Sequence, residues 1–259
     1  MVEVLYRDED ILVVDKPSGV AVHPSPGFER GTLTDELVRR YPQMAGVGSK
    51  ERPGVVHRLD VETSGVMVFA LTQRAYLKLR EMFESHAEVV KTYLAVLHGT
   101  PKGRRGTVDT LVGKRADKKR MKVVEPGGDG QRAITHWEVL GRRNGLSLVE
   151  FRIETGRTHQ IRVHAAHLGH PVVGDSLYGV PDRARRLLLQ AVQLQFPHPV
   201  TGKALCFAAE PPPEMGCCGK ESCPMKRLMR LVPALFVFAA LTTEAKPWPG
   251  FERGMGIGG

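Results

Sequence analysis

The chain is short of cysteine, of cofactor fingerprints and of long apolar runs. Four cysteines (Cys206, Cys217, Cys218 and Cys223) in 259 residues cannot build a disulfide framework and point to a reducing compartment. Three of them form a C-C-x4-C cluster that lacks a fourth zinc ligand, so free thiols are expected. No G-x-G-x-x-G follows an apolar strand, and neither a P-loop nor H-E-x-x-H occurs. Their lack removes the commonest dinucleotide, nucleotide and zinc-hydrolase chemistries, and no cofactor is expected. The apolar stretch Leu231 to Leu241 has eleven residues, too few for a comfortable membrane span.

What is present suits a globular protein. With 42% hydrophobic and 25% charged residues, the chain can bury a sizeable core. Acids are in deficit, 28 against 37 Lys and Arg, a net charge of +9. The excess is local: between Pro101 and Lys122, nine basic residues face two acids. That segment includes Lys114, Arg115, Lys118, Lys119 and Arg120. It is too polar for core and too interrupted by glycine for a long helix, so an exposed hairpin or loop is expected. Clustered cations of this kind gain affinity for a phosphate array by releasing counterions; a solvated charged loop is the plainer alternative.

Periodicity outlines the elements. Val2 to Tyr6 and Ile11 to Val14 read as paired strands, and Gly54 to Val56 and Ser64 to Leu71 as core strands. Glu88 to His98 carries apolar residues on both faces and should be internal. Arg132 to Leu140 and Leu146 to Ile153 form a hairpin across Asn144-Gly145, a strong tight-turn signal. Helices are expected from Thr32 with Asp35 completing a capping box, from Thr72 to His86 with Ala75, Leu79, Met82 and Phe83 inward, and from Thr158, acting as cap, to Leu168.

Chemistry is expected at His57-Arg58-Leu59-Asp60, followed by Val61-Glu62-Thr63-Ser64-Gly65. Asp60 falls in a tight connection between two apolar runs. By itself it reads equally as a turn-capping aspartate. The histidines His159, His164, His167 and His170 are spaced five, three and three apart, yet no cysteine or acidic ligand accompanies them and no metal is expected.

HRLDxxTSG resembles the stretch around the catalytic aspartate of the RluA family of pseudouridine synthases. Asp15-Lys16-Pro17-Ser18-Gly19 with Val22-His23-Pro24, then Lys91-Thr92-Tyr93-Leu94-Ala95, then Thr155-Gly156-Arg157-Thr158-His159-Gln160-Ile161-Arg162-Val163-His164 are similar to that family's other motifs, in its order. Gly169-His170-Pro171, Gly174-Asp175 and Tyr178-Gly179 continue the match, which covers about residues 3 to 210. The resemblance implies an α+β fold with a mixed, mostly antiparallel sheet, flanking helices and a catalytic cleft. It implies isomerisation of uridine to pseudouridine in ribosomal or transfer RNA, with Asp60, Tyr93 and Arg162 as catalytic residues. Tyr93 would lie against the flipped base, and the fork of Arg162 would hold Asp60 ionised. Arg58, Arg157, His159 and Gln160 are assigned to substrate and RNA binding together with the basic segment. A catalytically silent RNA-binding protein on the same fold is the alternative.

The catalytic domain is expected over 1–212, with 213–259 a tail outside it. The tail opens with cysteines and contains a signal-peptide-like run at the wrong end of the chain, as well as a near copy of residues 24–31 at 247–254. A cytoplasmic monomer with no membrane contact and RNA as its partner completes the expectation.

Overall fold

The computed structural model describes residues 1–85, 88–115, 120–125 and 127–216. One ten-stranded sheet forms the body. In chain order its strands are β1 (Glu3–Arg7), β2 (Ile11–Lys16), β5 (Ser64–Ala70), β6 (Val90–His98), β7 (Arg105–Lys114), β8 (Met121–Val124), β9 (Gln131–Arg143), β10 (Leu146–Ile153), β11 (Leu189–Pro197) and β12 (Ala204–Ala208). The spatial order is β1-β2-β5-β11-β6-β10-β9-β7-β8, with β12 on β11. Every pair is antiparallel except β5 with β11. A separate two-stranded ribbon joins β3 (Gly48–Ser49) to β4 (Arg52–Pro53). The expected mixed, mostly antiparallel α+β architecture is therefore the observed one.

Local chemistry explains most elements. Thr32 caps α1 (Leu33–Arg40) with a complete capping box, its hydroxyl accepting the Asp35 N–H while the Asp35 carboxylate accepts the Thr32 N–H. In α2 (Gln73–Ser85), Ala75, Leu79, Met82 and Phe83 are the buried stripe. The β9–β10 turn has Asn144 at φ 48° and Gly145 at φ 73°, the left-handed pair that such a two-residue turn requires. Between β11 and β10, β6 is internal, as its two apolar faces demand. One core cluster lies between the sheet and α1 and includes Leu33, Leu37, Phe69, Tyr93 and Phe151; a second, under α2, includes Leu79, Phe83, Val68 and Phe207.

Two expectations need correction. Gly54 to Val56 is no strand: it makes only an isolated bridge, Val55 with Phe69, because the neighbouring Val68 N–H is taken by Nε2 of His57 at 3.1 Å. Thr158 does not cap α3 (Gln160–His167); the N-cap is His159, left-handed at φ 55° and without a side-chain cap. Just past the expected boundary at 212, Met215 is fully buried among Leu94, Val96, Leu148 and Leu188. The near-repeat at 247–254, the apolar run and Cys217, Cys218 and Cys223 lie outside the described residues.

Candidate active site

The N-terminal motif and the HRLD turn are one unit. Lys16 is fully buried at the end of β2, and its Nζ donates to the carbonyls of Pro17 (2.9 Å), Val20 (2.8 Å) and Val61 (3.0 Å). Burial pushes its pKa down to about 8, against the pull of Asp60 and Asp15. The Gly19 N–H donates to the Val61 carbonyl at 2.8 Å and Ser18 Oγ to the Glu62 carbonyl at 2.6 Å. Thr63 N–H closes the turn on the Asp60 carbonyl at 3.1 Å. Gly65, at φ 119°, lies so close to β11 that a Cβ would run into the Ala191 carbonyl, so only glycine fits there. These bonds fix the backbone on both sides of Asp60.

Asp60, Tyr93, Arg162, Arg58, Arg157, His159 and Gln160 all line one open cleft. The three residues expected to be catalytic come from the turn before β5, from β6 and from α3. Tyr93 is buried, and burial together with the Asp60 carboxylate raises its phenol above the ordinary value.

Arg162 does not give its fork to Asp60. Its Nε and Nη2 bind Asp175 Oδ2 and Oδ1 at 2.8 and 2.7 Å, Nη2 also reaches Glu62 Oε2 at 3.1 Å, and Nη1 stands 3.8 Å from Asp60 Oδ2. The side chains of Arg162 and Asp175 are 2% and 0% exposed, that of Asp60 18%. A buried guanidinium must be paired and hydrogen-bonded; Asp175 and Glu62 do this for Arg162, while Asp60 lines the cleft. Burial opposes the charge of Arg162, but Asp175, Asp60 and Glu62 together raise its pKa. For Asp175, burial is outweighed by Arg162 and by the N–H groups of Leu177 and Tyr178, and its pKa is lowered.

The other expected contacts divide. Arg58 is exposed and donates to Thr158 Oγ1 at 3.1 Å; Arg157 Nε donates to the Arg132 carbonyl at 3.1 Å. His159 stands with Nε2 4.0 Å from Asp60 Oδ1, and burial first, then Arg162, lowers its pKa against the pull of Asp60. Gln160 is buried at the edge of the cleft: its Nε2 donates to the Ile134 carbonyl and Thr135 Oγ1, and its Oε1 accepts from Thr155 Oγ1 and the Arg157 N–H. The basic segment is an exposed hairpin of β7 and β8, with Lys114, Arg115 and Lys122 exposed and Arg120 half-buried; Lys118 and Lys119 lie outside the described residues.

Sequence reasoning missed Lys16, Asp175 and Tyr178 as parts of the site. All three sit inside quoted motifs, but nothing in spacing links Asp175 to an arginine thirteen positions earlier. Among the described residues no group of three His, Cys, Asp or Glu side chains is placed to hold a metal; His164 instead bridges Thr135 and Thr110 at 2.8 and 3.0 Å. No helix among them is long and apolar enough to cross a membrane.

A mixed, mostly antiparallel sheet whose cleft gathers one aspartate, one tyrosine and a buried arginine defines the class: the pseudouridine synthase type. Residues 10–167 match the family description RNA pseudouridylate synthase, and the chain belongs to that family of isomerases. Relatives include an uncharacterized RNA pseudouridine synthase of Synechocystis, 42% identical over 216 residues, covering 81% of this chain and 65% of that protein. The ribosomal large subunit pseudouridine synthase D of Zymomonas mobilis is 37% identical over 224 residues, covering 82% of this chain and 70% of that protein. The chain thus spans about two thirds of the length of these relatives. Among solved structures, human RNA pseudouridylate synthase domain containing 1 superposes with a TM-score of 0.69 at 28% identity, covering 91% of this chain and 97% of that one.

Proposed function

We propose that this protein converts particular uridines of structured RNA, ribosomal RNA foremost, into pseudouridine, with Asp60 as the reacting carboxylate. The observation that carries this reading is the convergence of Asp60, Tyr93 and Arg162 on one cleft. Ribosomal RNA is favoured because a relative bears the name of a ribosomal large subunit pseudouridine synthase. The protein acts as a monomer in the cytoplasm, where that RNA is.

The reaction breaks the N1–C1′ bond of uridine, turns the base while it is held, and joins C5 to C1′; the C5 proton leaves and N1 gains one, so nothing is oxidised or hydrolysed. The Asp60 carboxylate either adds to C1′ or removes a ribose proton to give a glycal. Tyr93 offers a ring to the extruded uracil. Arg162 presents Nη1 3.8 Å from Asp60 Oδ2 and so places positive potential beside the carboxylate without occupying it. A cleft that sheds water protects either intermediate from hydrolysis to an abasic site.

The test is Asp60→Asn in the full chain, assayed on rRNA transcripts with pseudouridine mapping. Loss of activity by about four orders of magnitude with RNA affinity kept is expected. Full activity in that variant refutes the assignment, and wild-type protein that binds RNA but modifies none supports the silent RNA-binding alternative.

A further inference from the structure

Tyr178 belongs to no part of the chemistry above, yet its phenol oxygen joins two things that lie apart in the chain. It is 2.8 Å from the backbone nitrogen of Met121, the first residue of β8 in the basic hairpin, and 2.8 Å from Nδ1 of His159 in the cleft. The two rings meet edge-on with centroids 5.6 Å apart. Tyr178 is itself held: its backbone N–H donates to Asp175 Oδ1 at 3.0 Å, and the Arg162 guanidinium lies over its ring at 5.3 Å.

A backbone N–H can only donate, so the Met121 contact occupies a lone pair of the phenol oxygen. Among the described residues the phenolic proton then has one acceptor in hydrogen-bond range, Nδ1 of His159, and it can be used only if Nδ1 carries no proton. If Nδ1–H donated instead, the oxygen would accept twice and its own proton would be left without a partner in a half-buried site, at a cost in free energy. A neutral His159 bonded this way carries its proton on Nε2, and Nε2 is the atom 4.0 Å from Asp60 Oδ1. The charges facing the imidazole are Asp60 and Asp175 on one side of the balance and Arg162 and Arg58 on the other.

We propose that Tyr178 is a positioning residue: anchored by the Met121 N–H of the basic hairpin, it fixes the tautomer of His159 so that an Nε2–H is turned toward the Asp60 carboxylate. His159 then gives Asp60 a dipole and not a second full charge, and the hairpin that meets RNA is tied to the reacting carboxylate through two side chains. This rests on Asp60 being the reacting group, as proposed above.

The direct test is nitrogen NMR on the full chain labelled at histidine, without RNA, with the His159 signals identified by their loss in His159→Gln. The Nε2–H tautomer is expected in the wild type at pH 7 to 8; the Nδ1–H form, or an imidazolium, overturns the proposal whatever any variant does. Tyr178→Phe, which keeps the ring over Arg162, is expected to mix the tautomers and to lower kcat about tenfold with KM for RNA changed less than twofold. An unchanged tautomer or unchanged kcat overturns it. In a His159→Gln background, where the side-chain amide has no tautomer to fix, Tyr178→Phe should cost little further; a fully additive loss would route the effect elsewhere and also overturn it. Because the tautomer is read without catalysis, it stands apart from the Asp60→Asn assay, whose failure would sink only the isomerase reading.

Discussion

The floor of the cleft and the basic hairpin carry charge in opposite ways. Around Asp60, every charge is partnered: Arg162 with Asp175 and Glu62, Lys16 with three carbonyls. On β7 and β8, Lys114 and Lys122 stand exposed on the strand ladder. In a low dielectric a lone charge costs several kcal/mol, so it must be paired and becomes rigid. In water it costs little and remains available to phosphates. One region holds a single carboxylate in place; the other offers exposed positive charge to solvent.

Removing one partner from the floor should give the largest effect. Arg162→Ala leaves Asp175 buried and uncompensated, and a stability loss of about 3–5 kcal/mol is expected, measured by urea denaturation, with activity lost as well. Arg162→Ala within 1 kcal/mol of wild type would mean that the buried pair is not what organises the cleft.

Acid should weaken the body before it affects the hairpin. Burial holds His57 at about 3 and His164 at about 4, below the unfolded value of about 6.5. Between those values the unfolded chain binds the extra protons, so stability is present above about pH 6.5 and falls as pH drops. Each histidine contributes a loss of about 1–2 kcal/mol by pH 5. Asp15, raised to about 6 mainly by burial, and Glu150, raised first by burial, oppose this; His23 and His159, lowered first by burial, act with His57 and His164. Urea midpoints at pH 7.5 and 5 check the sign; greater stability at pH 5 would contradict it.

The hairpin should give the smallest structural effect and a purely electrostatic functional one. Replacing Lys114, Arg115 and Lys122 together by Ser should leave the melting temperature within a few degrees. The salt dependence of RNA binding should fall by about two counterions and KM for RNA rise roughly tenfold at physiological salt, with kcat within twofold. A fall in kcat without a change in salt slope would place these residues in the chemistry and not in recruitment.

Much of this was legible in the chain. The capping box at Thr32 and Asp35, the Asn144-Gly145 turn and the buried stripe of α2 are local in sequence, so side-chain chemistry a few residues apart decides them. The motifs likewise pointed to Asp60, Tyr93 and Arg162 as one site. The helix start at His159 was not legible, because a left-handed histidine held by a tyrosine nineteen positions on has no local signal. Nor was the fate of Gln160, whose polar side chain looks available until β9 is laid against it.

By its own pattern, the sequence determined β1, β2, β5, β6 and the β9–β10 hairpin, the capped start of α1, the stripe of α2 and the placement of positive charge, while the family resemblance marked the aspartate on which chemistry is expected. Tertiary structure decided the pairing of charges: that Asp175 and not Asp60 takes the fork of Arg162, that Lys16 holds the carbonyl beside Asp60, and that Tyr178 joins the hairpin to the cleft. Helix and turn signals are short-range and survive in the unfolded chain's local preferences. Ion pairing depends on which groups lose their water together, and that is settled only when the sheet closes.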